Sequence, residues 1–162
     1  MTNKTLKNKI IKMVEADQKM RVSGKWNNNI DKKNTTELKK IIKKYGWPDI
    51  SMVGEKASSG AWAIAQHADK DIKFQKYCLE LINEKFKNNK TPSWQVAYLT
   101  DRIKVNSGLP QVYGTQFYST KNKRFINRPI KDKSELDKRR KEIGLEKFEV
   151  YKKRLTDIQK NI

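Results

Sequence analysis

Leu6, Ile10, Met13, Val14 and Met20 recur at helical spacing, so Thr5 to about Arg21 is predicted as an amphipathic helix stopping near Ser23-Gly24. Lys25 to Lys33 then reads as a polar loop. Asn34 and Glu37 stand at capping-box spacing before Leu38, Ile41, Ile42 and Tyr45, and Gly46 supplies a left-handed residue to end a second helix. Trp47-Pro48 confirms that break, with the indole expected to cover the helix end and proline to prevent continuation. A third helix is predicted over Val53 to Ala68, a fourth over Asp71 to Phe86 with Asp69 as its N-cap, and a fifth from Thr91-Pro92 to near Gly108. From Gln111 the pattern changes. Val112 to Tyr118 is rich in β-formers, Lys121-Asn122-Lys123 is a plausible turn, and Arg124 to Arg128 can return as a partner strand. Ser134 then caps a short helix through Ile143, Gly144 ends it, and Leu145, Phe148, Tyr151 and Leu155 mark a last amphipathic helix. The expectation is a mainly α, compact single domain over residues 1–162, with about six to seven helices and a small β-hairpin near residues 111–128.

Several polar residues interrupt these apolar faces. Asp17 and Arg21 fall within the stripe of Leu6, Ile10, Met13 and Val14, where a charge is costly unless paired. They read either as a mutual i, i+4 ion pair that fixes packing or, with Gln18, as a substrate site in which Arg21 clamps an anion. The segment from Ala57 to Asp69 gathers Ala57, Gly60, Ala61, Ile64 and Ala68 on one face, allowing close approach of another backbone or a ligand. His67 lies at the edge of that face beside Gln66, and Asp71 stands one turn further on, where it could orient the imidazole if the helix continues. Asp101 sits in a helix apolar on both sides and needs a partner, for which His67, Arg21 and Arg140 are the candidates from other helices, while Arg102 points elsewhere. Gln111, Tyr113, Thr115 and Gln116 flank Gly114 in six residues that suit binding if their side chains converge, and an ordinary hydrogen-bonded hairpin if they do not.

These residues belong to ordered motifs: Asp17-Gln18-Lys19-Met20-Arg21, Tyr45-Gly46-Trp47-Pro48, Ser51-Met52-Val53-Gly54, Ala61-Trp62, Gln66-His67-Ala68-Asp69, Ala97-Tyr98-Leu99-Thr100-Asp101-Arg102, Gln111-Val112-Tyr113-Gly114-Thr115-Gln116 and Asp137-Lys138-Arg139-Arg140. Taken together they resemble a widespread bacterial family, domain of unknown function 6624, across nearly the whole chain. The resemblance strengthens the assignment of a site and implies no reaction.

Composition narrows the chemistry. The 162 residues are 36% apolar and 34% charged, lean in core formers but short of the disordered regime. No apolar run reaches the roughly 18 residues of a membrane span, and no signal-peptide pattern opens the chain, so a cytoplasmic protein without a membrane partner is expected. One cysteine excludes an internal disulfide, and one histidine excludes the usual Cys/His zinc cluster, so neither metal nor cofactor is expected. The net charge of +19 invites nucleic acid, yet its lysines are scattered and far outnumber the arginines that read bases in pairs.

The leading expectation is therefore a metal-independent hydrolase or group transferase acting on a small polar or anionic substrate. In it His67 is general acid/base, Asp101 or Asp71 orients the ring, and Arg21, Arg102 or Arg140 stabilises negative charge. Asp17, Gln18, Gln66, Gln111, Tyr113, Thr115 and Gln116 would hold substrate, and His67, Asp101 and Gln116 would share one pocket. One alternative is a nucleic-acid-binding or RNA-cleaving domain with Trp26, Trp47 or Tyr118 stacking on bases. Another is a toxin, immunity or partner-binding protein whose buried polar groups serve folding alone. No Gly-x-Ser-x-Gly elbow or P-loop is present in the sequence.

Overall fold

A computed structural model describes residues 3–25, 27–88, 91–120 and 125–160. Trp26, Arg124 and the Lys121-Asn122-Lys123 turn expected from the sequence lie outside the described residues. The protein is mainly helical, with one small antiparallel hairpin, and divides into two compact units, Met1–Thr91 and Pro92–Ile162.

The first unit contains α1 (Lys4–Val22), α2 (Asn28–Tyr45), the single turn α3 (Ile50–Val53), α4 (Glu55–Gln66) and α5 (Ile72–Lys87). α4 is its hub, packing on α1, α2, α3 and α5. Small side chains make this possible: Ala57, Ala61 and Ala65 are fully buried, and a Cβ added at Gly60 would meet Val14 Cγ1 at 3.1 Å and Ile10 Cγ2 at 3.5 Å. A close backbone approach between α1 and α4 follows. Leu6, Ile10, Leu38, Ile41 and Ile64 fill the core. Trp47 is 1% exposed beyond the left-handed Gly46 that ends α2, as the sequence predicts.

Local signals mislead at three places here. α2 begins at Asn28 instead of after Asn34, because Asn27 caps it by accepting from Asn29 N–H at 2.9 Å and Asp31 complements the dipole of the first turn. Asn34 instead continues the buried stripe of Leu38, Ile41 and Ile42, and its amide donates to Met13 O at 3.0 Å. The expected third helix is divided by Gly54 (φ +80°) into α3 and α4. The cap of α5 is Asp71, which accepts from Phe74 N–H at 3.0 Å, and not Asp69.

The second unit contains α6 (Ser93–Asn106), β1 (Phe117–Ser119), β2 (Phe125–Asn127), a 3₁₀ turn at Lys133–Glu135, α7 (Leu136–Glu142) and α8 (Phe148–Lys160). Tyr118 pairs with Ile126 at the centre of the hairpin, and Gln111 makes an isolated parallel bridge to Ile130. Ser134 lies within the 3₁₀ turn rather than capping a helix directly. Phe148 stacks on Phe117 with ring centres 6.2 Å apart, and Tyr151 meets both Phe117 and Tyr98 edge-on. No helix among the described residues is long and apolar enough to cross a membrane.

Candidate active site

His67 ends α4 and lines a cavity of about 650 Å³. The other walls come from the first turns of α2, including Asn28, Asp31 and Lys32, and from the Asp69–Asp71 bend that leads into α5. His67 Nδ1 lies 3.1 Å from both carboxylate oxygens of Asp17 on α1. A carboxylate can only accept, so Nδ1 carries the proton and Nε2 remains the basic nitrogen.

Asp17 is 1% exposed and saturated with donors. Besides His67, Arg21 Nε contacts its oxygens at 3.1 and 3.2 Å, and Gln18 Nε2 donates at 2.9 Å. Burial alone would raise its pKa, but the hydrogen bonds from His67 and Arg21 and their positive charge prevail and hold it at about 2. Arg21 Nη2 reaches on to Asp31 Oδ1 at 2.8 Å. Arg21 therefore makes the i, i+4 pair with Asp17 that is one of its two readings in the sequence, and extends it to a carboxylate on the cavity wall. Burial raises the Asp31 pKa above its ordinary value, opposed by Arg21 and reinforced by Asp17. Sequence patterning passed over Asp31 because residues 25–33 read as loop; a helical reading from Asn28 would have placed Asp31 one turn before Asn34 on the buried side.

Two corrections concern the partner of His67. Asp71 lines the cavity but does not orient the imidazole, because α4 stops at Gln66; its carboxylate caps α5 and pairs with Lys39 Nζ at 2.5 Å. Asp101 and Gln116 belong to the second unit and are not among the residues that line the cavity containing His67; the Asp101 carboxylate is taken up by N–H groups of its own unit.

Asp101 is fully buried in the second unit and organises a loop. Its Oδ1 accepts from Val112 N–H at 2.7 Å and Tyr113 N–H at 3.0 Å, and its Oδ2 from Thr115 N–H and Thr115 Oγ1, both at 2.9 Å. Burial raises its pKa against the pull of these donors. Gln111 clamps the same loop, accepting from Gln116 N–H at 2.8 Å and donating to Gln116 O at 3.0 Å and Arg128 O at 2.8 Å. Arg140 donates to Tyr113 O and Glu146 O, each at 2.6 Å, and lies over the Tyr151 ring. Arg102 Nη1 donates to Gln116 Oε1 at 3.3 Å. Asp101, Gln111 and Arg140 thus converge chiefly on the backbone of this loop, while Arg102 meets the Gln116 side chain. Of the β-formers expected to pair, Val112, Tyr113 and Thr115 stay out of the hairpin because Asp101 takes the N–H groups a ladder would use.

Gln66 lies behind His67, its backbone O bonded to Gln75 Nε2 at 2.9 Å and its side-chain Oε1 buried without a partner among the described residues. No group of three or more His, Cys, Asp or Glu side chains is placed to hold a metal ion among the described residues.

Compared with known families, the chain matches the model of DUF6624, a family of unknown function, over residues 4–160. The chain belongs to DUF6624. No curated protein and no solved structure matches it. In this DUF6624 chain, then, the chemistry of the site has to be read from its geometry: a buried carboxylate, an oriented imidazole, a bridging guanidinium and a second carboxylate at the cavity.

Proposed function

We propose that this DUF6624 protein is a hydrolase or group transferase acting on a small polar or anionic substrate in the His67 cavity. The observation that carries the reading is the Asp17–His67 pair: Nδ1 is fixed by a buried carboxylate at 3.1 Å while His67, its side chain partly exposed, is among the residues lining the cavity. This is the arrangement a general base needs, with the tautomer set from behind and Nε2 available to take a proton from water or a hydroxyl and return it to a leaving group. Asp17 takes the orienting role, leaving Asp31 as the second proton-handling group, its burial favouring the protonated form. Lys32 and Lys70, neither ion-paired among the described residues, border the cavity and suit an anionic substrate.

A turnover screen over phosphoesters, carboxylic esters and amides tests this, with His67→Gln as the control. An activity that falls by about 10² or more in His67→Gln supports the reading. An activity that survives the substitution unchanged overturns it. For nucleic acid, the reading retains Tyr118, which is 40% exposed with the Arg128 guanidinium 4.9 Å from its ring centre. Trp47 is buried and cannot stack on a base.

A further inference from the structure

A second concavity adjoins the cavity. It is a groove of about 540 Å³ formed by Lys39, Ile42 and Lys43 of α2, Lys73, Phe74 and Tyr77 of α5, and Asp71. Lys39 and Asp71 border both spaces, and their ion pair stands at the junction. Three features of the groove point to one kind of occupant. Its charge is predominantly positive, three lysines against the single Asp71, and Lys43 and Lys73 are not ion-paired among the described residues. One wall is apolar, from Ile42 and the mostly buried Phe74. Tyr77 is 48% exposed and offers an aromatic side chain to a planar group. Lysines supply point charges for a phosphate, and an exposed ring beside them supplies stacking.

We propose that this groove is the anchoring subsite for a nucleotide, with a phosphate among Lys39, Lys43 and Lys73 and the base against Tyr77, so that the rest of the substrate extends past Lys39 into the His67 cavity. The inference rests on the acid–base reading of that cavity and gives its substrate a class. The two spaces together exceed the volume of a mononucleotide, which leaves room for the reacting portion beyond the anchor. Tyr77, Lys43 and Lys73 lie outside the Asp17–Arg21–His67 network, so replacing them leaves the proton-handling groups in place.

Calorimetric titration of the full chain with AMP, adenosine and inorganic phosphate, at moderate salt to suppress non-specific binding, tests it. AMP should bind more tightly than either fragment. Tyr77→Ala should weaken AMP about tenfold without changing phosphate, and the double variant Lys43→Ala/Lys73→Ala should weaken both AMP and phosphate about tenfold. Absence of AMP binding, or AMP affinity unchanged in both variants, overturns the proposal. His67→Gln separates it from the reading on which it rests. AMP binding that persists in His67→Gln, with no His67-dependent turnover in the screen, sustains the groove and removes the acid–base function. His67-dependent turnover with a KM indifferent to both groove variants does the reverse.

Discussion

Asp17 ties the packing of α1 on α4 to the hydrogen bonding of His67. It is held at a pKa of about 2 against an ordinary value of 3.8, so the folded state binds its proton less tightly than the unfolded chain does. Its contribution to stability is therefore present above the unfolded value, and is lost as pH falls through 3.8 towards about 2. A shift of that size corresponds to about 2 kcal/mol. Asp17→Asn should cost about that much at neutral pH, and the gap between variant and wild type should close by about pH 2, as read from urea midpoints across the range. A gap independent of pH would mean that the aspartate acts through shape alone. At this scale the sequence was partly legible. Asp17 and Arg21 stood out because an apolar stripe surrounds them, and His67 because it is the only histidine. Which carboxylate meets His67 was not legible, since Asp17 is 50 positions away and only the packing of α1 on α4 brings them together.

Among the elements, the loop after α6 carries the clearest consequence. Gly114 has φ +70°, and a Cβ there would lie 2.8 Å from the Phe148 ring, which is itself stacked on Phe117. Backbone conformation and contact both exclude a side chain. Gly114→Ala should destabilise the second unit by about 2 kcal/mol or more, and the loss should appear as faster amide exchange at Val112, Tyr113 and Thr115, whose N–H groups Asp101 holds. A stability within a few tenths of a kcal/mol of wild type would refute that account. The helices were legible because their apolar period is strong, and Gly46 and Gly144 marked real stops, with φ of +74° and +71°. The start of α2 and the cap of α5 were not, because two candidate caps compete within a few residues and tertiary burial selects between them. The length of the hairpin was hidden for a different reason: β-propensity describes side chains, while the N–H groups after Gln111 are claimed by a carboxylate from another element.

For the whole molecule, the excess positive charge is shared almost equally between the two units. Diffuse charge of this kind attracts polyanions without selecting among them. Oligonucleotide binding should accordingly appear at low salt, fall steeply by about 0.2 M and be the same in His67→Gln, as measured by fluorescence anisotropy. Binding that resists salt and depends on sequence would require a dedicated nucleic-acid surface. The bond between His67 and Asp17 has a further use that follows from its uniqueness. With a single histidine in the chain, the imidazole Nδ1 proton is a lone spectroscopic signal, shifted downfield by its carboxylate acceptor and free of overlap from any other imidazole. Its acceptor is a buried carboxylate that meets it only while α1 stays seated on α4, so its exchange rate records how often those helices part, and the site carries its own clock for the breathing of the fold around it.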